Sequence, residues 1–303
     1  MNTYWSNYWK QGYITSFGAE LPNNYQGKLS SFWKDVFCHF GKPGSTVVDL
    51  GTGNGALIDL GLKYCNNVDI DFIGVDYAKL NISTHFDCAS VVFYQNTTIE
   101  NMPLSDNSAD IVISQFGFEY CDVVQGVKEI ARILKESGRF IAVIHNSNSS
   151  IVKPNLQMLQ AAQKLKGDGK PLILLRHLVN NLVKYGVNKP QVEVARKSLN
   201  SSIHNWLKDN AEGAAATKFP AFLKAVMAPT VEYKQRKKMI KLFEKELTHQ
   251  IERLTDLKAA AKSEKELKEI ALLLKKVGFS EVKFEPLHEQ NYELIGWQLH
   301  VNF

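Results

Sequence analysis

The chain has 303 residues, 45% hydrophobic and 22% charged, which is enough to bury a substantial core and ordinary for a globular protein. The N-terminus MNTYWSNYWK lacks a basic segment followed by a long apolar stretch, and no run approaches about 18 uncharged apolar residues, so neither a signal peptide nor a membrane span is expected. Cys38, Cys65, Cys88 and Cys121 form no C-x-x-C pair, which argues against a zinc or other metal site and for reduced thiols in a cytoplasmic protein. The net charge of +5 is regional: residues 151–262 carry +12 and the remainder −7.

In chain order, the first forty residues are rich in aromatics, with Tyr4/Tyr8 and Trp5/Trp9 four apart and therefore neighbours on a helix. A short helix, an ITSFG turn and a second helix through SSFWKDVF are predicted, and KPGS at 42–45 punctuates the chain before the first clear strand. Strands and helices then alternate. TVVDL, DFIGVDY, SVVFYQN, ADIVISQF and GRFIAVIH read as strands, ALIDLGLKY and VVQGVKEIARIL as helices. Short β-rich runs separated by helices imply an α/β fold, a mainly parallel sheet wrapped on both faces.

After Ile144 the alternation stops. LILLRHLVNNLVKYG and KKMIKLFEKELTHQIERL read as amphipathic helices, the second with apolar residues at 240, 243, 247, 251 and 254, so this stretch is a helical insertion. The sheet pattern returns with SEKELKEIALLLKKVGF, where Ser263 and Glu266 make a capping box and Gly278 stands at the helix C-terminus. SEVKFEPL and ELIGWQLHVNF follow so closely that an antiparallel hairpin is favoured over another crossover.

VVDLGTGNGALIDL, residues 47–60, poses a choice of cofactor. Gly51-x-Gly53-x-x-Ala56 fits the dinucleotide fingerprint that serves NAD, whereas Asp49-x-Gly51-x-Gly53-x-Gly55 fits a loop that holds S-adenosylmethionine. Asp76, ending the second strand in IGVDYA, suits ribose hydroxyls in either class. The loop alone leaves both readings open.

VVDLGTGNG, IGVDYA, TIENMPLSDNSADIVISQFGFEY and GVKEIARILKESGRFIAVIH, in that order, resemble the class I S-adenosylmethionine-dependent methyltransferases over residues 45–146 and 263–303. The resemblance implies a seven-stranded, mainly parallel Rossmann-like sheet with an antiparallel C-terminal hairpin strand. It divides the chain into an aromatic N-terminal lid segment (1–44), the cofactor-binding domain (45–146 and 263–303) and a basic helical cap (147–262). Gly51, Gly53 and Gly55 would pass the backbone close to the cofactor, where a Cβ would intrude, and Thr52 among them would also line the cofactor site. Asp49 would accept from its ammonium, a role that suits an acid better than facing a pyrophosphate does. Asp76 would hold the ribose, with Tyr77 along the ribose or adenine. Family members usually carry Asp where this chain has Thr98, a weaker acceptor for the adenine amino group, while Ile99 would still offer its backbone N–H and its side chain to the ring.

Ser114, Gln115 and Phe116, at the end of the fourth strand, would pass the methyl-bearing sulfonium. The segment departs from the N/D-P-P-Y/F pattern of base-nitrogen methylation and lacks the Pro-Cys pair of cytosine C5 chemistry, which disfavours those nucleic-acid subclasses. His145, directly after the fifth strand, is the candidate general base, against the plainer reading of a strand-capping histidine. Glu119 and Tyr120 would contact the acceptor or its ammonium, with a helix-start carboxylate as the alternative for Glu119. Tyr8, Trp9, Tyr13, Thr15, Ser16 and Phe17 would form the lid, or simply a hydrophobic staple onto the sheet. Trp206, His204 and the FPAF segment at 219–222 would line the cap.

The expected activity is methyl transfer to an O or N atom of an acceptor, most simply a small polar or anionic molecule. An RNA bound through the basic insertion, a protein acceptor and a homodimer interface are the rival uses of that insertion. An NAD-dependent oxidoreductase and a non-catalytic binding module are the rival functions.

Overall fold

A computed structural model of the chain describes residues 3–18, 21–66, 68–83, 86 and 90–303; Cys88 lies outside them. Two short helical elements lead, α1 (Thr3–Trp9) and α2 (Gly27–Phe40). Strands β1 (Ser45–Leu50), β2 (Ile70–Asp76), β3 (Val91–Gln95), β4 (Ala109–Gln115) and β5 (Leu134–Ile144) alternate with α3 (Ala56–Tyr64) and α4 (Val123–Ile133). The chain then runs through α5 (Val152–Gln163), α6 (Pro171–Tyr185), α7 (Pro190–Asp209), α8 (Ala211–Ala214), α9 (Phe219–Val226) and α10 (Tyr233–Ala260). It ends with α11 (Glu264–Lys276) and the hairpin β6 (Glu281–His288) and β7 (Leu294–Asn302).

The seven strands make one sheet in the order β3-β2-β1-β4-β5-β7-β6. β1 to β5 pair in parallel, while β7 runs antiparallel to both β5 and β6, so the predicted hairpin closes the sheet. Alternate strand residues point to opposite faces. Val47, Ile111, Ile113, Ile141 and Val143 pack with Phe32, Trp33, Phe37 and Ile58 of α2 and α3, whereas Val48, Leu50, Val112, Ala142 and Ile144 pack with Val127 and Ile130 of α4 and Leu267, Ile270 and Leu274 of α11. The result is a Rossmann-like helix–sheet–helix sandwich.

Local chemistry sets the element ends. Asp122 caps α4, its Oδ1 accepting from the backbone N–H of Val124 (3.0 Å) and Gln125 (3.2 Å). Ser263 and Glu266 form the predicted capping box on α11. β5 starts earlier than GRFIAVIH suggests, at Leu134, because α4 stops at Ile133 and a bulge near Ala109 and Ile111 of β4 re-registers the pair.

The chain divides into two compact units, Met1–Val152 with Ala259–Phe303, and Lys153–Lys258. The second is all helical around a core that includes Leu172, Leu175, Val179, Leu199, Trp206, Phe219 and Ile240. Trp206 and Phe219, expected to line a cap, are instead core: Trp206 donates its indole N–H to Ala161 O (2.9 Å) and meets Phe219 edge-on. α7 carries buried residues only at 192, 199 and 206, one per two turns, too thin a stripe for the periodicity to announce. Among the described residues no helix is long and apolar enough to cross a membrane.

Candidate functional site

The carboxyl ends of β1, β2, β4 and β5 gather the residues that the motifs single out. After β1 the backbone turns sharply, with Gly51 N and Thr52 N both donating to Val75 O of β2 (2.8 and 3.1 Å). Gly51, Gly53 and Gly55 have φ of +68°, +54° and +91°, a region that side chains enter only with strain.

Protein neighbours also crowd all three positions. A Cβ on Gly51 would lie 2.8 Å from Gly117 Cα, one on Gly53 2.6 Å from the Trp9 ring, and one on Gly55 2.9 Å from Phe86. The turn after β1 is pressed against the turn after β4, and Trp9 lies on the loop.

Asp49 and Asp76 end neighbouring strands in different states. Asp76 Oδ2 accepts from Gly53 N (2.8 Å) and Oδ1 from Ala78 N (2.7 Å), which leaves each oxygen one further lone pair for a hydroxyl. Burial nonetheless pushes its carboxyl up to about 6, against the pull of those two amides. Asp49 is buried, and its Oδ2 has no hydrogen-bond partner; neither has the hydroxyl of Thr52 beside it. Burial pushes the Asp49 carboxyl up to about 8, and the Asp76 charge adds to the shift.

β4 delivers Ser114, Gln115 and Phe116. The Ser114 hydroxyl is already taken up, donating to Leu50 O (2.8 Å) and accepting from Phe118 N (2.9 Å), so it ties β1 to the turn after β4 and is not presented to a ligand. Gln115 Oε1 accepts from the indole N–H of Trp33, which fixes the amide; its buried Nε2 is left without a partner. Phe116 adopts φ +56°, a strained conformation for a bulky side chain, and its ring stacks on His145 at 4.1 Å.

His145 and Glu119 meet. Glu119 Oε1 accepts from both His145 N and His145 Nδ1, each at 2.8 Å, while Glu119 Oε2 has no partner. Glu119 was expected to face the acceptor; its side chain has no exposed surface and one oxygen is committed to the imidazole. Tyr120 approaches the same ring edge-on at 5.9 Å, and Trp5 meets Tyr120 at 6.0 Å.

The N-terminal aromatics lie on this edge. Asn54, between Gly53 and Gly55, donates its amide to Trp9 O (3.0 Å) and Tyr13 O (2.7 Å) and accepts from Asn81 N (2.9 Å). Tyr8 donates to Thr15 O (2.9 Å), and Phe17 contacts Tyr25 and Phe116 at 6.2 Å each. The Tyr25 phenol is buried near Asp49, Gln115, Ser16 and Tyr8, and burial and the Asp49 charge push its ionisation well above the ordinary range. Tyr25, Trp33 and Asn54 had gone unmarked in the sequence; only Asn54, inside the glycine motif, carried a signal there. Tyr77 is exposed, Thr98 half-buried, and Ile99 packs beneath β2 with Val75 and Met102.

Residues 48–142 match the family described as "Methyltransferase domain". They carry a methyltransferase domain, and together with the C-terminal hairpin they build the seven-stranded Rossmann-like sheet. Over 104 residues the chain is 34% identical to the ribosomal protein L11 methyltransferase of Anoxybacillus flavithermus, covering 33% of this chain and 32% of that protein. Over 105 residues it is 33% identical to the uncharacterized methyltransferase YcgJ of Bacillus subtilis, covering 33% and 40%. A solved S-adenosylmethionine-dependent methyltransferase from Aquifex aeolicus aligns at TM-score 0.43 and 13% identity, over 89% of each chain. The chain thus spans about a third of the length of the curated relatives it matches. In this domain the orphaned, buried carboxylate oxygen of Asp49 is chemically a fit for a cationic group.

Proposed function

We propose that the protein transfers a methyl group from S-adenosylmethionine to an O or N atom of a small-molecule acceptor. When bound, S-adenosylmethionine supplies an electrophilic methyl on a sulfonium that leaves as a neutral thioether. Asp49 accepts from the ammonium, directly or through water, and Asp76 from the ribose hydroxyls through the lone pairs its backbone contacts leave. Thr52, Gly51, Gly53 and Gly55 shape that part of the site, Ile99 and Thr98 take the adenine, and Tyr77 lies at its rim. Gln115 offers its free amide N–H to the carboxylate of donor or acceptor. Ser114 is left out, its hydroxyl being engaged within the fold.

The observation that carries the donor assignment is the buried, unpartnered Oδ2 of Asp49. A buried carboxylate with no partner is costly, and a ligand ammonium is the group that relieves it. A pyrophosphate would do the opposite, which weighs against an NAD enzyme. On the acceptor side His145 is the base, taking a proton from the nucleophile. It is only 5% exposed, a depth that a small molecule reaches more readily than a chain of RNA or a folded protein. A ribosomal-protein acceptor is the second reading, favoured by relatives that are ribosomal protein L11 methyltransferases. Their matches span only about a third of their length, so that acceptor does not carry over with the domain.

Two measurements test this. S-adenosylhomocysteine should raise the melting temperature where NADH does not; stabilisation by NADH alone refutes the assignment. With methyl-labelled S-adenosylmethionine and a cell extract, label should enter the small-molecule fraction; label in RNA or protein would replace that acceptor class.

A further inference from the structure

Glu119 and His145 come from different elements, a short 3₁₀ turn after β4 and the end of β5, and meet below the protein surface. One carboxylate oxygen receives two N–H donors from the same residue, the backbone amide and the ring Nδ1, both at 2.8 Å. The backbone bond alone would explain a structural carboxylate. The ring bond adds a chemical consequence: with Nδ1 donating its hydrogen to a carboxylate, the neutral imidazole must carry its lone pair on Nε2. Stacking on Phe116 at 4.1 Å and the edge contact with Tyr120 restrict rotation of the ring about that bond. A base that is oriented, desolvated and held in one tautomer by a buried acid has the architecture of a proton acceptor, not of a strand cap.

We infer that Glu119 is a positioning residue that fixes His145 with Nε2 as the accepting atom, and that the methyl acceptor is therefore a nucleophile with a proton to lose, a hydroxyl or an N–H. The inference rests on the methyltransferase reading above. In the step, the acceptor's O–H or N–H proton passes to His145 Nε2 and the freed electron pair forms the bond to the methyl carbon. The sulfur keeps the electron pair of the bond that breaks. The imidazolium that results lies against the Glu119 carboxylate, which compensates its charge until the proton leaves to solvent.

The ring nitrogens of histidine labelled with 15N, assigned by their loss in His145→Gln, read the tautomer without any acceptor. In the neutral ring, wild type and Glu119→Gln, whose carbonyl still accepts, should show hydrogen on Nδ1; Glu119→Met should shift it largely to Nε2. Label transfer into the small-molecule fraction should fall about 10-fold in Glu119→Gln, which lacks the compensating charge, and about 100-fold in Glu119→Met. S-adenosylhomocysteine affinity should stay within about 3-fold in both. In the His145→Gln background, Glu119→Gln should cause no further loss, because the carboxylate acts through the ring. Hydrogen on Nδ1 retained in Glu119→Met, wild-type transfer in Glu119→Gln, or additive losses in the double variant would each overturn the inference. Wild type that binds no S-adenosylhomocysteine would refute the methyltransferase reading instead, leaving the ring spectra to decide the pair.

Discussion

The two sides of the sheet's carboxyl edge hold acid pairs built in opposite ways. At the ends of β1 and β2, Asp49 and Asp76 are like charges, and the structure satisfies only one of them: Asp76 holds two backbone amides while Asp49 keeps an unpartnered oxygen. At the ends of β4 and β5, Glu119 and His145 are complementary, and their ring-to-carboxylate bond is made within the protein. A like-charge pair in a buried setting calls for a cation from outside, whereas an acid joined to a base is complete and ready to act on a proton. In the proposed function the first side takes the positive end of a ligand and the second a proton-bearing nucleophile.

The largest expected effect comes from removing the charge that is out of balance. Asp49→Asn should weaken S-adenosylhomocysteine binding by about 100-fold or more, as an ammonium loses its charged partner. The same change should stabilise the ligand-free fold. Because the folded-state carboxyl titrates near 8 and not near the ordinary 3.8, the folded protein holds this proton more tightly than the unfolded chain does. Stability therefore falls as pH rises from about 4 to about 8 and is level above. The gain in Asp49→Asn should be absent near pH 4 and grow to about 5 kcal/mol above pH 8, read by urea denaturation. A variant that loses both binding and stability would remove the contrast between the two sides.

Asp76→Asn should gain much less, because its carboxyl is raised only to about 6 and one of the two backbone amides of Gly53 and Ala78 would then face an NH2 group, so stability should change by less than about 1 kcal/mol while binding falls about 10-fold. Equal effects of the two aspartate substitutions on stability would contradict their different surroundings.

Asn54→Ala gives the smallest effect on binding. Loss of the amide donors to Trp9 O and Tyr13 O should cost about 1 kcal/mol and should free the segment around Lys10, making it a trypsin site that S-adenosylhomocysteine protects less well than in wild type. Unchanged proteolysis would mean that ring packing alone holds α1 on the glycine loop.

Much of the first side was legible in the sequence. Strand and helix alternate so regularly from Thr46 that Asp49 and Asp76 could be placed at strand ends, and the hairpin could be read from the short spacing between its strands. The second side was legible only as positions. Glu119 and His145 could each be assigned to a turn or a strand end, but the bond between them joins residues 26 apart, and that between Trp33 and Gln115 joins residues 82 apart. Periodicity encodes which face a residue takes, not which distant side chain it meets. The glycines show the same limit: their positive φ follows from the motif, but the groups crowding them, Gly117, Trp9 and Phe86, come from three separate segments.

Calorimetric titration with S-adenosylhomocysteine in buffers of different ionisation enthalpy tests most directly whether Asp49 receives the donor's ammonium. With the Asp49 carboxyl near 8, binding at about pH 6.5 should release close to one proton, and the release should fade as pH passes about 8, with affinity rising about 10-fold between the two. Asp49→Asn should abolish the release. Binding with no linked proton, or proton release that survives Asp49→Asn, would contradict the claim.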